Sequence, residues 1–390
     1  MSKTINPFIV SGRIDPEYFC DRKAESAKLI KSVTNGNNLV LISPRRMGKT
    51  GLVRFCYDLP EIKDHYYSFF IDILHTSSLK EFVYVLGKEI YNTLQPRGEK
   101  IAGKFLQTLK SIRGRLSLDS VTGLPSFSLE LGDIEQPDFL LEDIFNYLEG
   151  ADKPCIVTID EFQQVAKYAE KNTEALLRSY IQKSSNCNFI YAGSERHMMQ
   201  EMFLSENRPF YLSSDMLELK AIPKEAYVPF ITENFRKFNK NIADGCAEKV
   251  YGFFSGHTFY IQKVFNEAFT DTAEKQTCTS DTVNTALLSI LESYDTTFRE
   301  RLSTITERQK ELLYAIATEG KVGSITSTAF IKKHKLASAS SVQAAAKKLL
   351  EFGLITQTEG IYQIENRFFG LWIALQMQSQ GKITNLLNTR

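Results

Sequence analysis

The chain has 390 residues, enough for two or three domains, and its 43% hydrophobic and 24% charged residues are ordinary values for a globular protein. The formal net charge is +1, which excludes an overall electrostatic attraction to nucleic acid or to an anionic membrane. The six cysteines form no CxxC pair, so reduced thiols are favoured over a disulfide framework or a zinc site. The sequence contains neither a signal peptide nor an apolar stretch long enough to span a membrane, and we expect a soluble, cytoplasmic protein without membrane contact.

The first half of the chain alternates between helical patterns and short apolar runs. A helix is predicted over residues 22–34, and amphipathic helices are predicted over 79–94 and 174–184. The apolar runs lie at 38–43, 66–73, 155–159, 188–192 and 216–222. The first four are almost continuously apolar, as in parallel strands that are covered by helices on both faces. The pattern therefore predicts an α/β fold with a parallel sheet, and a small inserted hairpin within residues 117–131.

The second half of the chain has a mainly helical pattern. After Pro223 the pattern predicts helices and no further strands up to about residue 303. These helices lie at 224–238, 242–254, 259–273 and 281–301. Three more helices and a hairpin then follow, at 307–317, 328–335, 340–352 and 354–364. Three helices and a two-stranded wing indicate a winged-helix domain. The predicted domains are a core over 1–222, a helical region over 223–303, a winged helix over 304–378 and a tail over 379–390.

A glycine- and lysine-containing loop follows the first predicted strand and precedes a helix at 52–57. Its sequence, SPRRMGKT, matches the P-loop pattern G-x-x-x-x-G-K-[ST] except at Ser43. Such a loop cradles nucleotide phosphates with its backbone N–H groups and with the helix N-terminus. Lys49 would reach the β and γ phosphates, the Thr50 hydroxyl would bind Mg²⁺, and Gly48 would let the backbone approach closely. The alternative is a chance GKT in a turn. The candidate nucleotide-binding residues here are Ser43, Pro44, Arg45, Arg46, Met47, Gly48, Lys49, Thr50 and Gly51.

Two adjacent carboxylates end a later predicted strand, in the segment CIVTIDEFQ. The last residue of a parallel strand points to the carboxyl edge of the sheet, where the phosphate-binding loop also lies. Asp160 would hold Mg²⁺ through water, and Glu161 would polarise the attacking water. The alternative is an acidic helix cap. An adjacent Glu favours hydrolysis over a kinase reaction, which needs no such base.

These motifs resemble the archaeal-type and bacterial ATPases of the STAND/AAA+-related group, whose P-loop core is of the ASCE type, over most of the chain. SPRRMGKT is similar to the group's Walker A motif, and CIVTIDEFQ is similar to its Walker B motif. NPFIVSG and the segment with Asp21 and Arg22 resemble the N-terminal motif that lies near adenine in the group. NFIYAGS resembles the strand that ends in the sensor-1 residue, here Ser194. The resemblance implies ATP as the ligand and a nucleotide-driven switch.

The same resemblance extends to the second half of the chain. SGHTFYIQ is similar to the group's lid motif, with Thr258 in place of the usual proline, so the helical region over 223–303 is expected to be a lid. His257 would then pack near the adenine, unless it is simply a satisfied polar residue. Arg208 and Arg196 are candidates for an arginine finger acting between subunits of a homo-oligomer; the alternative is a solvated surface charge.

Three functions remain open at this point. The first is an ATPase that acts as a switch on an unknown protein partner, since the chain has no effector domain of its own. The second is a DNA-associated ATPase, and the third is a switch that hydrolyses slowly or not at all. Residues 306–370 hold nine basic and six acidic residues, a net charge of +3, with no arginine in the first half of the recognition helix at 338–343. We therefore expect a protein-docking or lever module with at most weak DNA contact.

Overall fold

The computed structural model of the chain describes residues 6–12, 14–115, 117–118, 125–126, 130–358 and 360–377. These residues form two compact units. One lies within residues 13–221 and contains the phosphate-binding loop. The other comprises residues from Ile222 onwards together with the N-terminal segment up to Gly12. Among the described residues, no helix combines the length and the apolar character that crossing a membrane requires.

The first unit is built on a parallel sheet, as predicted. Its five strands are β1 (Leu39–Ile42), β2 (Tyr67–Asp72), β5 (Cys155–Asp160), β6 (Cys187–Gly193) and β7 (Asp215–Glu218). Their order across the sheet is β2-β5-β6-β1-β7, and every neighbouring pair is parallel. Between β2 and β5 the chain forms a short antiparallel pair, β3 (Ser117–Leu118) and β4 (Pro125–Ser126). The rest of the predicted hairpin, at 119–124 and 127–129, lies outside the described residues.

Helices cover both faces of this sheet. Alternate residues of β1 belong to separate apolar clusters: Val40 and Ile42 pack into one, Leu39 and Leu41 into the other. Burial on both faces is the reason that this strand is apolar at every position. The helices of the unit are α1 (Lys23–Thr34), α2 (Lys49–Asp58), α3 (Pro60–Lys63), α4 (Leu79–Leu94), α5 (Glu99–Thr108), α6 (Pro137–Glu149), α7 (Thr173–Lys183) and α8 (Arg196–Leu204).

The second unit is mostly helical and ends in the winged helix. Its helices are α9 (Lys224–Lys237), α10 (Cys246–Phe253), α11 (Thr258–Asp271), α12 (Ser280–Ser293), α13 (Asp295–Ser303), α14 (Glu307–Glu319), α15 (Thr328–Lys333), α16 (Ala339–Glu351) and α17 (Arg367–Met377). The wing is the antiparallel pair β10 (Ile355–Thr358) and β11 (Ile361–Ile364). The winged helix is thus confirmed, with α17 as a further helix that the periodicity did not predict. Six consecutive residues of α17 are buried, so it has no amphipathic pattern to detect.

Two details of this unit differ from prediction. The predicted helix over 281–301 is broken at Tyr294, where α12 ends and α13 begins. The expectation that strands cease after Pro223 is wrong, because β8 (Asn241–Ile242) pairs in parallel with β9 (Thr277–Cys278). Strands of two residues are too short to show an alternating pattern, which is why the sequence does not reveal them.

The N-terminal segment packs with this second unit, although the predicted core domain over 1–222 included it. Phe8 is 1% exposed and its ring lies 5.5–5.8 Å from the rings of Phe235, Phe265 and Phe269. Hydrogen bonds add to this contact: Asn6 Nδ2 donates to Asn266 O at 2.8 Å, and Asn266 Nδ2 donates to Phe8 O at 2.7 Å. Residues 6–12 are therefore part of the unit that also holds the predicted lid.

Candidate nucleotide-binding and hydrolysis site

The phosphate-binding loop connects β1 to the first turn of α2, as the motif requires. Ser43 N donates to Gly193 O at 3.2 Å, which fixes the start of the loop to the neighbouring strand. Ser43 is fully buried and its hydroxyl donates to Pro44 O at 3.0 Å, so a small polar residue fits where the motif has glycine. Gly48 has φ +94° immediately before α2, a left-handed conformation that favours glycine. The loop thus curls around the N-terminus of α2, where partial positive charge favours an anion.

Lys49 is a buried cation beside this loop. It is 7% exposed, and its Nζ donates to Ser43 O at 3.3 Å. Burial lowers the pKa of Lys49, while the nearby carboxylates of Glu161 and Asp160 act in the opposite direction. A buried ammonium that is hydrogen-bonded to a carbonyl, at the N-terminus of a helix, fits the phosphate of a nucleotide.

Thr50 and Asp160 place two oxygen atoms together at the edge of the sheet. Thr50 Oγ1 donates to Asp160 Oδ2 at 3.0 Å, and Asp160 is the last residue of β5. Burial raises the pKa of Asp160, and the charge of Lys49 opposes that rise. In the described part of the chain no cluster of three or more His, Cys, Asp or Glu side chains could hold a metal alone. A hydroxyl and one carboxylate fit Mg²⁺, which usually takes few protein ligands and completes its shell with water and phosphate.

Glu161 adopts a left-handed backbone conformation, with φ +58°, directly after the strand. Its Oε2 accepts hydrogen bonds from Ser194 Oγ and from Gln163 Nε2, both at 2.6 Å. Burial alone would raise the pKa of Glu161, but Lys49 and these two donors together bring it below its usual value. Although Glu161 precedes a short 3₁₀ helix, Phe162–Lys167, its side chain makes no capping hydrogen bond. It is an ionised carboxylate held inside the site.

These contacts join residues from three strand ends. Lys49 and Thr50 follow β1, Asp160 ends β5 with Glu161 directly after it, and Ser194 follows β6. The parallel sheet brings them together because the carboxyl ends of its strands share one edge.

Two polar residues at this edge were not predicted. Gln163 contacts Glu161, and it lies within the CIVTIDEFQ motif that marked its neighbours. Asp72 is the last residue of β2 and is aligned with Asp160 in the adjacent strand. The single acidic residue near the end of the apolar run at 66–73 is the sequence feature that could have identified Asp72.

The second part of the predicted N-terminal motif, Asp21 and Arg22, lies next to the phosphate-binding loop. Asp21 and Arg22 both have positive φ, at +52° and +64°. Arg22 is 3% exposed, and its guanidinium donates to Met47 O at 3.3 Å and pairs with Glu25 at 2.8 Å. Arg22 therefore contacts the phosphate-binding loop directly. Of the other loop residues, Pro44, Arg45 and Arg46 are exposed, and Gly51 packs near Ile14 and Phe19 at the start of α2.

The two arginine-finger candidates are ion-paired to carboxylates other than those of the site. Arg208 Nη2 lies 3.2 Å from Glu174 Oε1, Arg208 Nε lies 3.8 Å from Glu201 Oε1, and Arg196 Nη2 lies 3.3 Å from Glu218 Oε1. Arg208 is partly buried in its ion pairs, whereas Arg196 is an exposed charge with an exposed partner.

His257 belongs to the other compact unit, where it precedes α11. Its Nδ1 donates to Phe254 O at 3.0 Å. Burial and the charge of Arg367 lower the pKa of His257, so it is neutral at physiological pH.

A parallel sheet with a glycine–lysine loop after its first strand, and a carboxylate pair at the end of another, defines a P-loop ATPase. Residues 19–264 match the family described as an ATPase domain predominantly from Archaea, and residues 296–375 match a probable winged helix domain. The chain belongs to that family of archaeal-type ATPases, and it binds nucleotide. A search of curated proteins found no match.

Solved structures show the same fold at low sequence identity. A Walker-type ATPase of Pyrococcus abyssi is similar with a TM-score of 0.61 at 18% identity, covering 94% of this chain and 99% of its own. The ORC2 protein of Aeropyrum pernix, in its ADPNP and ADP complexes, has a TM-score of 0.57 at 11% identity, with 96% and 98% covered. The ORC1 protein of the same organism, in complex with DNA, has a TM-score of 0.50 at 11% identity, with 93% and 94% covered.

Proposed function

We propose that this ATPase depends on Mg²⁺ and acts as a nucleotide-driven conformational switch on a protein partner. The observation that carries the hydrolytic part is the Glu161 carboxylate, held by Ser194 and Gln163 beside the Thr50–Asp160 pair. This arrangement puts a water-orienting group next to metal-ligand oxygens. It is what hydrolysis of a terminal phosphate needs.

Each of these side chains has a definite task in the proposal. Lys49 holds the β and γ phosphates against the N-terminus of α2. Thr50 and Asp160 would hold Mg²⁺, the latter through water; the ion would neutralise charge on the phosphate oxygens. Glu161 accepts a hydrogen bond from the attacking water and orients it. Ser194 fixes the Glu161 carboxylate and would also sense the γ-phosphate.

The partner is proposed to be a protein because part of the positive charge on the winged helix is paired with carboxylates. Lys333 pairs with Glu319 at 2.5 Å, and Lys348 pairs with Glu351 at 2.6 Å. Phosphate neutralisation supplies most non-specific DNA affinity, so local ion pairs of this kind reduce it. A DNA-associated ATPase is the second candidate, favoured by the fold shared with an ORC1 protein that was solved in complex with DNA.

Glu161→Gln tests the hydrolytic part of the proposal. We expect the variant to bind Mg-ATP normally and to hydrolyse it at least about 100-fold more slowly, the scale of a positioned base. Glu195→Gln is the matched control, because Glu195 follows Ser194 but pairs with Lys167 on the surface at 2.6 Å. Wild-type turnover in Glu161→Gln would mean that Glu161 is not the water-orienting group.

The switch is tested by trapping the ATP-bound form. Tagged Glu161→Gln protein, loaded with Mg-ATP, is used to capture partners from the native host, beside the same protein with ADP and a Lys49→Ala variant. We expect at least one protein that associates only in the first of these three samples. If no protein discriminates among them, the switch proposal fails even where hydrolysis is intact.

A further inference from the structure

Gln163 touches the proposed water-orienting carboxylate from inside the fold. It is 1% exposed, and its Nε2 lies 2.6 Å from Glu161 Oε2. The same oxygen accepts the Ser194 hydroxyl. Both hydrogen bonds therefore fall on Oε2, and neither uses Oε1.

The orientation of the Gln163 amide follows from the charge of its partner. An ionised carboxylate only accepts hydrogen bonds, so the amide nitrogen must face Glu161; the reverse orientation would put two oxygens 2.6 Å apart. The amide oxygen then has no hydrogen-bond partner among the residues that the structure describes. A buried, unpaired amide oxygen is costly. An apolar side chain of the same size would fill this space without that cost.

The space around Gln163 is also fixed. A Cβ on Gly193, the last residue of β6, would lie 2.7 Å from Gln163 Oε1 and 2.5 Å from Met199. Gly193 therefore leaves the room that the Gln163 side chain occupies. Glu161, Gln163 and Ser194 are packed as one group, and the carboxylate has little freedom to rotate.

We propose that Gln163 is a positioning residue for hydrolysis: it fixes the Glu161 carboxylate so that Oε1 is presented to the attacking water. The inference rests on the proposed role of Glu161 and deepens it. It also explains why a residue with an unpaired polar atom lies at a fully buried position. Gln163 does not itself contact the nucleotide or the water in this proposal.

The test compares two neighbouring glutamines in the full-length protein. In Gln163→Met the side chain keeps its length but loses the donor, and we expect kcat to fall roughly 10- to 100-fold, the worth of a hydrogen bond to a charged group. KM and the affinity for Mg-ATP should stay within about twofold, because no phosphate contact is changed. Gln164→Met is the control: Gln164 Nε2 donates to Thr76 O at 3.1 Å and not to Glu161, so kcat should be unchanged.

A merely structural role is excluded by a double-mutant cycle. Once Glu161→Gln has removed the carboxylate, Gln163→Met has nothing left to position, so the double variant should turn over like Glu161→Gln alone. If the fold-losses in kcat of the two single variants multiplied in the double variant, the inference would be overturned. If Gln163→Met does not fold, Gln163→Leu, which is also apolar and of similar size, takes its place with the same expected loss.

The two possible failures are distinguishable. Normal turnover in Glu161→Gln contradicts the proposed function itself. Slow turnover in Glu161→Gln combined with normal turnover in Gln163→Met contradicts only the role of Gln163.

Discussion

Gly193→Ala adds one carbon at the most crowded position near the site. β6 is paired with β1 and with β5, and Gly193 itself is aligned with Ile42 of β1, which limits movement of the backbone. The new Cβ would lie 2.5 Å from both Cγ and Sδ of Met199, about 1 Å closer than atoms in favourable contact. Met199 is fully buried and must change its conformation within a packed core. Overpacking costs about 1–3 kcal/mol, and the flexible methionine side chain places the expected loss of unfolding free energy at about 1–2 kcal/mol.

The loss is measured by urea unfolding followed by circular dichroism. Gly103→Ala, on α5, is the control, because a Cβ there meets nothing within 4 Å; it should leave stability unchanged or raise it by about 0.4–1 kcal/mol. Adding Met199→Ala should make the combined loss smaller than the sum of the single losses, since the clash disappears. Turnover should be lower than in the wild type both in Gly193→Ala and in that double variant, because the new Cβ, 2.7 Å from Gln163 Oε1, displaces Gln163 in each. A Gly193→Ala protein as stable as wild type would refute this account of the packing.

Three further predictions follow from the site and the winged helix. Lys49→Ala should weaken binding of a fluorescent ATP analogue by about 100-fold or more, the cost of losing a buried charge-assisted contact, without unfolding the protein; equal affinity would contradict the site. If Arg208 acts as an arginine finger between subunits, Arg208→Ala should slow hydrolysis roughly 10³-fold and leave nucleotide affinity unchanged. Mixing the Arg208→Ala protein with Glu161→Gln protein should then restore part of the activity. If mixing restores no activity, Arg208 is not an arginine finger. Labelled duplex DNA should bind at most weakly at near-physiological salt, with or without ATP, and sub-micromolar binding that is lost on changing Lys347 and Lys348 to Glu would favour the DNA-associated ATPase.

The parallel sheet could be predicted because its cause is local. A strand buried on both faces must be apolar at every position, and residues 39–42 and 155–159 show this directly. The positions of the site residues at strand ends could also be predicted. Lys49, Asp160 and Ser194 lie close together because the carboxyl ends of parallel strands share one edge of the sheet.

Other features depend on backbone angles or on distant partners, which the residue pattern does not encode. The positive φ of Glu161 turns the chain so that Gln163, two residues later, points back at the Glu161 carboxylate. No periodicity in the sequence marks such a turn at a non-glycine residue. The ion pair of Arg208 with Glu174 joins residues 34 positions apart, and no pattern in the sequence marks it. The break at Tyr294 lies inside a continuous helical pattern.

The anchoring of Phe8 affects the order in which the protein can be completed during synthesis. Asn6 is hydrogen-bonded to Asn266, a residue 260 positions later, and Phe8 packs against rings on α9 and α11. Translation proceeds at about 5–20 residues per second, so roughly 10–50 s pass between synthesis of the N-terminal segment and synthesis of these partners. The strands of the parallel sheet are all made within that interval. A bulky fusion at the N-terminus would therefore disturb the docking of this segment onto α9 and α11.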